Sequence, residues 1–212
     1  MRSLIFEIIL ILFSQKIYFL NIIYKQSAKV LICNYNNLFF LKHINTISEL
    51  VQQLSNCKKE DIKYLIDVLK IPVSEFEKFA TWEEDHYTRN CIARTTDFEL
   101  LLLCWKAGQE TPIHCHNDQD CWVFLVEGSI IENQYKNDKK DVPVLTVSEI
   151  MQENSSYYIN DDIGLHSLHN SKEKRAMSLH IYVNPIEKCS YYSQRLQKYK
   201  IKKLSYDTIV SS

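Results

Sequence analysis

Two histidines separated by one residue, His114 and His116, are the side chains whose spacing most directly suggests chemistry. In an extended strand, residues i and i+2 project from the same face, so both imidazoles would point the same way. Neutral imidazoles are common ligands of transition metals. A lone His-x-His pair is also compatible with an ordinary surface or core pair. The spacing by itself therefore indicates a possible metal site and nothing more specific.

The residues around this pair strengthen the metal interpretation. They are Gly108, Cys121 and Gly128 near the pair, and Gly164, His166 and Asn170 downstream. This arrangement resembles the two motifs of the cupin superfamily, with Cys121 where that family usually has a glutamate. The second motif departs by having one residue, not two, between Gly164 and His166. The resemblance implies a single double-stranded β-helix, or jelly-roll, barrel with His114, His116 and His166 as metal ligands.

A site of three imidazoles without a carboxylate has a definite chemical character. Neutral ligands leave the full charge of a divalent ion in place. Three ligands also leave about three positions open on an octahedral iron, which is room for a bidentate thiol together with dioxygen. Zinc would also be a chemically reasonable ion for three histidines. The ligand types alone therefore do not identify the metal.

Longer segments narrow the resemblance to one family. They are DHYTRN at 85–90, CWKAGQETPIHCHNDQDC at 104–121, IGLH at 163–166 and SLHIY at 178–182. With these motifs, from about Ile44 to Tyr192, the chain resembles the cysteine dioxygenases of the eukaryotic kind. The resemblance implies an enzyme with one iron(II) per chain. It would use dioxygen as co-substrate and oxidise the sulfur of L-cysteine to cysteine sulfinic acid, within cysteine catabolism.

The resemblance also implies roles for individual residues. Arg89 would bind the substrate carboxylate with Tyr87 supporting it, Cys121 and Tyr182 would form a thioether crosslink, and Ser178 and His180 would hydrogen-bond toward Tyr182. A planar guanidinium of fixed charge suits a carboxylate. Enzymes acting on 3-mercaptopropionate commonly have glutamine in its place, so Arg89 favours cysteine. Arg94 matches no family position and is expected to be a surface residue.

The segment AMSLHIYV (176–183) supports this interpretation without the family. On one strand, Ser178, His180 and Tyr182 would share a face, opposite Leu179 and Ile181. Buried polar groups need partners, which a Ser–His–Tyr relay would supply. After Tyr182 the chain runs Val-Asn-Pro where the family commonly has Ser-Pro-Pro. The backbone beside Tyr182 is therefore where this site is expected to differ.

The hydrophobic pattern predicts helices first and strands afterwards. Residues 46–70 have helical spacing, Thr46 and Glu49 form a capping-box pattern, Pro72 ends the helix, and a short helix follows at Ser74–Ala80. The predicted strands are FELLLLCW, TPIHCHN, CWVFLVEG, IIENQY, VLTVSEIM, SYYIN and AMSLHIYV, with a hairpin-like return after Gly128. The sequence thus predicts a mostly β domain at 44–195, in which a helical lead-in precedes the barrel.

Composition limits the possible partners. The chain has 212 residues and a formal net charge of −1, which gives no long-range field for nucleic acid or an anionic membrane. Seven scattered cysteines without a CxxC pair fit a reducing, cytoplasmic setting. We expect a monomer with a small-molecule substrate, and neither a nucleic-acid nor a membrane partner. Residues 196–212 are expected to form a solvated C-terminal tail.

The sequence allows two interpretations of the N-terminal 43 residues and more than one activity. The apolar stretch near the N-terminus is interrupted by Glu7, Gln15 and Lys16, so residues 1–43 are expected to be an extension outside the core, with a targeting segment as the alternative. The alternatives to a cysteine dioxygenase are oxidation of another thiol, such as 3-mercaptopropionate or a peptide N-terminal cysteine, and a non-catalytic metal-binding cupin.

Overall fold

The structure of the chain, a computed structural model, describes residues 30–34, 37–41, 43–171 and 173–210. Most of the expected N-terminal extension lies outside these residues. In the part of the extension that is described, β1 (Val30–Asn34) and β2 (Asn37–Leu41) pair as an antiparallel hairpin. In the part of the chain that is described, no helix is both long enough and apolar enough to span a bilayer.

Short helices precede the barrel, as the sequence predicts. They are α1 (Ile47–Leu54), a 3₁₀ turn at Lys59–Asp61, α2 (Ile62–Asp67) and α3 (Val73–Glu77). The backbone N–H of Glu49 donates to Thr46 Oγ1 at 3.1 Å, and the Glu49 carboxylate accepts from the backbone N–H of Asn45 at 2.8 Å. The predicted cap is therefore formed, with the acidic side chain reaching back to the residue before Thr46. The third helix is shorter than predicted.

Three sheets follow the helices. The strands are β3 (Thr88–Arg94), β4 (Phe98–Trp105), β5 (Cys121–Glu127), β6 (Ile130–Asn137), β7 (Pro143–Met151), β8 (Ser156–Ile159), β9 (Leu165–His169), β10 (Ala176–Val183), β11 (Lys188–Ser193), β12 (Lys198–Lys203) and β13 (Thr208–Ile209). Their order is β13-β3-β4-β10-β5-β8 in a six-stranded sheet, β7-β6-β9 in a three-stranded sheet, and β11-β12 in a hairpin. The predicted mostly β cupin barrel with a helical lead-in is confirmed.

The central strands of the large sheet are buried on both faces. On β10, Leu179 and Ile181 belong to the core that includes the helices, whereas Tyr182 belongs to a second core inside the barrel. Ser178 and His180 alternate with the same period and are buried as well. The polar row predicted from AMSLHIYV therefore faces the barrel interior and not solvent.

The predicted strand TPIHCHN is wrong. In this segment, His114 makes isolated bridges to His166 on β9 and to Tyr191 on β11. Pro112 has no N–H to give to a ladder, and Asn117 and Asp118 have left-handed backbone angles that end any extended run. The segment is a loop that is bridged to a strand on each side, and it still brings the His114 and His116 rings close together.

The predicted hairpin after Gly128 is also wrong. Strand β5 pairs with β10 and β8, whereas β6 pairs with β7 and β9. Gly128 has a φ of 85°, and a Cβ at this position would lie 2.8 Å from the Cβ of Ala176. Gly128 thus carries the chain closely past β10 from one sheet to the other, a path that needs a residue without a side chain.

The C-terminal segment is integrated into the barrel more fully than a tail would be. Strand β12 pairs with β11, and β13 adds to the edge of the large sheet parallel to β3. Leu204 and Tyr206 pack against the interior core. The lysines of β12 are exposed, in keeping with the expected solvated face.

Candidate metal centre and active site

The three predicted ligands converge at one end of the barrel interior. One ring nitrogen from each of His114, His116 and His166 lies within 4.8 Å of the others. The Nε2 atoms of His116 and His166 are 3.1 Å apart. Two nitrogens bonded at right angles to one ion, each about 2.1 Å from it, would be spaced in the same way, at about 3 Å. The donor set and its spacing therefore fit a single metal ion.

Hydrogen bonds behind the rings select the nitrogen that is free to bind. His114 donates its Nδ1–H to the Pro112 carbonyl at 2.9 Å. His166 donates its Nδ1–H to Oε1 of Glu132 at 2.7 Å, and both of these side chains are buried. Each bond fixes the tautomer that leaves the Nε2 lone pair available. In the described part of the chain, His116 Nδ1 has no hydrogen-bond partner.

Burial keeps these imidazoles neutral. It lowers the pKa of His114, and it holds the pKa values of His116 and His166 well below the usual range, with the neighbouring imidazoles adding to the effect. Burial also raises the pKa of the Glu132 carboxyl. Neutral imidazoles bind a metal without first losing a proton, so the site is prepared for an ion.

Glu132 was not identified from the sequence. The sequence interpretation stressed the absence of a carboxylate among the ligands, but Glu132 lies directly behind one of them. Glu132 lies on β6, the middle strand of the sheet between β7 and β9, and is only 3% exposed. A glutamate two residues after Ile130, on the same face of the strand, was the available signal. A carboxylate in this position orients the imidazole and makes it a stronger ligand.

Cys121 and Tyr182 are brought together by the sheet. They are directly opposite each other on β5 and β10, and both are buried. The Tyr182 ring centre lies 5.8 Å from that of His116. Burial raises the pKa of the Tyr182 phenol well above its usual value, and it also raises the pKa of the Cys121 thiol. A protonated phenol therefore lies beside the predicted metal ligands.

The Ser178–His180 pair forms, and it extends in a direction that the sequence did not predict. Ser178 Oγ lies 2.9 Å from His180 Nε2 and accepts the indole N–H of Trp105, also at 2.9 Å. His180 Nδ1 lies 3.9 Å from Cys121 Sγ, whereas its ring stacks beside that of Tyr182 with centroids 6.3 Å apart. Trp105 was missed, although a buried indole requires an acceptor.

Arg89 and Tyr87 line the same small cavity as the histidines. Its volume is about 50 Å³, and its lining includes His180, Tyr182, Cys189 and Lys202. In the described part of the chain, no aspartate or glutamate lines it. Arg89 is 9% exposed, and the Tyr87 ring stacks on Trp105 with centroids 4.5 Å apart. A cavity with an arginine and no acid favours a small anionic ligand.

The backbone after Tyr182 takes a specific conformation. Asn184 has a φ of 65°, in the left-handed region that asparagine tolerates better than most residues. Its N–H donates to the Asp97 carbonyl at 2.9 Å, while the Val183 N–H donates to the Asp120 carbonyl at 3.0 Å. These bonds hold the end of β10, and with it Tyr182, between two loops.

Comparisons with known proteins identify a family that this chain matches. The family described as cysteine dioxygenase type I matches residues 36–195. The cysteine dioxygenase type 1 of Bos taurus is 34% identical over 140 residues, 64% of this chain and 70% of the bovine protein. That of Danio rerio is 30% identical over 168 residues, 77% and 83% of the two chains. A Klebsiella pneumoniae protein with a double-stranded β-helix domain is 12% identical, with a TM-score of 0.43 over 51% of this chain and 80% of that one.

Proposed function

The chain belongs to the cysteine dioxygenase type I family and is a thiol dioxygenase, and from that premise we propose that it is an iron(II)-dependent cysteine dioxygenase. The reaction combines L-cysteine and dioxygen into cysteine sulfinic acid. Both oxygen atoms form bonds to sulfur, sulfur is oxidised by four electrons, and dioxygen accepts them, so no other reductant is needed. The observation that carries the proposal is that Arg89 and the three histidines line one small cavity, which has no acidic side chain among the residues that the structure describes.

The fixed charge of Arg89 supports a substrate with a carboxylate. A guanidinium can bind both carboxylate oxygens at once, which fixes the orientation of the ligand as well as its position. Bound in this way, cysteine would extend from Arg89 toward His114, His116 and His166. A thiol without a carboxylate would leave the guanidinium buried and unpaired, which is unfavourable. Arg89 is therefore assigned to selection of the substrate.

His114, His116 and His166 are the residues that would hold the metal. Dioxygenation is a redox reaction, and zinc has no redox chemistry, so the reaction itself favours iron. When bound, iron(II) would supply the electron-transfer chemistry that lets dioxygen react with the thiol sulfur. The protein keeps the three imidazoles neutral and oriented through Pro112 and Glu132.

Tyr182 is assigned the role of a hydrogen-bond donor whose phenol oxygen keeps its proton. Burial raises its pKa, so the hydroxyl stays protonated near neutral pH and can donate a hydrogen bond toward the reacting atoms. A thioether to Cys121 would fix the ring in place. Formation of that bond joins Sγ to a ring carbon and removes the thiol hydrogen and one ring hydrogen. This two-electron oxidation would use dioxygen as the acceptor.

Oxygen-uptake kinetics with metal analysis test the proposal. Iron-loaded protein should consume one dioxygen per L-cysteine and release cysteine sulfinic acid, with lower kcat/KM for 3-mercaptopropionate and cysteamine. A preference for 3-mercaptopropionate would reassign the substrate. Tight metal binding without turnover of any thiol would leave the non-catalytic alternative and overturn the proposal.

A cytoplasmic location is part of the same proposal. Six cysteines, Cys57, Cys91, Cys104, Cys115, Cys121 and Cys189, are free thiols in the described residues. Free thiols persist in a reducing compartment. Fractionation of cells that make the protein would test the assignment, since recovery with secreted or membrane material contradicts it.

A further inference from the structure

The segment after β12 lies outside the residues matched by the family, yet it contacts Arg89 directly. The backbone N–H of Arg89 donates to Oδ2 of Asp207 at 2.7 Å. In return, the Asp207 N–H donates to the Arg89 carbonyl at 2.9 Å. Strand β13 then continues the pairing with β3, through Thr208 opposite Asn90. The C-terminal segment thus fixes the main chain from which the Arg89 side chain extends.

The same segment supports the Arg89 guanidinium without neutralising it. Arg89 Nη1 donates to the Ser205 carbonyl at 3.3 Å, and the guanidinium carbon lies 5.7 Å from the centre of the Tyr206 ring. A carbonyl and a ring face stabilise a cation but carry no net charge. In the described residues, no carboxylate is paired with this guanidinium. Its positive charge and its other N–H groups therefore remain available to a ligand.

Tyr206 is itself anchored at a buried carboxylate. Its hydroxyl donates to Oε1 of Glu99 and accepts from Nη1 of Arg94. Glu99 is 0% exposed, and within the described residues its second oxygen, Oε2, has no hydrogen-bond partner. Tyr206 and Arg94 both donate hydrogen bonds to Glu99. Loss of either donor would leave the buried carboxylate with fewer hydrogen bonds, at a high cost in free energy. The position of the Tyr206 ring is therefore strongly specified.

This anchor also borders the Tyr182 side of the site. Glu99 lies opposite Tyr182 on one neighbouring strand and opposite Arg94 on the other. Arg94 is exposed, as expected of a surface residue, and it also contacts Glu99 and Tyr206. Tyr206 connects this buried network with Arg89.

We infer that Tyr206 is a positioning residue that presents the Arg89 guanidinium, with its charge uncompensated, to the carboxylate of the substrate thiol. The inference rests on the proposed function and deepens it, since it names the element that selects thiols with a carboxylate. Tyr206 contacts Arg89 and not the reacting atoms. Substitution of Tyr206 should therefore weaken the binding of a thiol that has a carboxylate. It should have no effect on a thiol without a carboxylate, or in a protein without Arg89.

Two substitutions separate the contributions of Tyr206. Tyr206→Leu removes both the ring face and the hydroxyl, and it should raise the KM for L-cysteine about tenfold while changing kcat and iron content little. Tyr206→Phe keeps the ring face and should raise the KM less. The matched control is Tyr199→Leu, which removes a C-terminal tyrosine whose hydroxyl bonds to Asn137 on β6. Its KM should stay at the wild-type value.

A double-mutant comparison tests whether Tyr206 acts through Arg89. In an Arg89→Ala background, Tyr206→Leu should cause no further rise in KM, because interacting residues are not additive. Anaerobic titration calorimetry of the iron-loaded protein supplies a readout without turnover. Tyr206→Leu should weaken the binding of L-cysteine about tenfold and leave cysteamine, which has no carboxylate, unchanged.

The outcomes distinguish this inference from the proposed function. Wild type without activity on L-cysteine refutes the proposed function. Active wild type with an unchanged KM in Tyr206→Leu, or additive effects with Arg89→Ala, overturns the inference alone. If Tyr206→Leu does not fold, Tyr206→Leu combined with Glu99→Gln removes the buried charge, and the same KM comparison then applies.

Discussion

Cys121 and Tyr182 lie directly opposite each other on adjacent strands, with both side chains in the barrel-interior core. On the other side of Tyr182, the residue directly opposite is Glu99, and the residue opposite Glu99 on the next strand is Arg94. Directly opposite residues have Cβ atoms about 5 Å apart, so a thiol and a phenol ring in this pair are within reach of one covalent bond. The pairing that builds the sheet therefore favours Cys121 as the cysteine of the proposed thioether.

The first prediction is a mass deficit. Intact-protein mass spectrometry of enzyme exposed to iron, cysteine and dioxygen should show a species lighter by two hydrogens than the sequence mass. Cys121→Ser and Tyr182→Phe should each abolish it, because each removes one partner of the thioether. Cys189→Ser is the control: Cys189 is also a buried cysteine lining the cavity, and the deficit should persist. A deficit that survives Cys121→Ser would rule out this pair.

The second prediction concerns Glu132 and the metal. Glu132→Ala removes the acceptor for the His166 Nδ1–H, so the ring loses both its orientation and part of its basicity. Iron affinity, measured by competition with a chelator, should fall about 10- to 100-fold. Glu149→Ala is a matched control, since Glu149 lies opposite Glu132 on β7 but is exposed. Equal affinities in wild type and Glu132→Ala would contradict the assignment.

These residues show what could be predicted from the sequence. Strands such as FELLLLCW are local apolar runs, and the Thr46 cap is a pattern over four residues, so neither depends on the rest of the fold. The three histidines and Arg89, which line one cavity in the structure, were singled out through motifs at characteristic spacings. The loop around His114 was misread as a strand because its extended pattern does not reveal that its partners are isolated bridges.

Contacts between distant parts of the chain that no motif marks were not predictable. The bond between Glu132 and His166 exists because β6 pairs with β9, which no local pattern specifies. Asp207 bonds to a residue 118 positions earlier, and the lysine-rich composition before it indicated only a solvated tail. Tyr206 and Glu99 had no signal beyond a charge within an apolar strand. Their function depends on where the C-terminal segment docks.

The third prediction concerns Arg89. Arg89→Gln keeps a polar side chain but removes the fixed charge and the paired donors, so the KM for L-cysteine should rise about 10- to 100-fold. Activity on cysteamine should change far less, because it has no carboxylate. Arg175→Gln is the control, since Arg175 pairs with Glu77 and lies over the Trp82 ring on the opposite side of the large sheet. Equal losses on both thiols would show that Arg89 does not recognise the carboxylate.

The fourth prediction is a pH-dependent attachment of the C-terminal segment through His86. Its Nε2 lies 2.9 Å from Oδ1 of Asp207, and its Nδ1 lies 2.7 Å from Oδ1 of Asp85. These bonds raise the pKa of His86, the bond to Asp207 most of all. The folded state therefore binds a proton more tightly than the unfolded chain, and the resulting stability is complete below the ordinary histidine pKa of about 6.5.

That contribution should be lost as the pH rises through the raised pKa of folded His86. The free energy of unfolding, measured with urea from pH 5 to 9, should decline across this window in the wild type. The decline should be weaker in high salt, because the group is exposed. His86→Asn and Asp207→Asn should each flatten it, since each removes the His86–Asp207 pair. An identical decline in wild type and His86→Asn would show that other groups cause it and that His86 does not hold the segment beside Arg89.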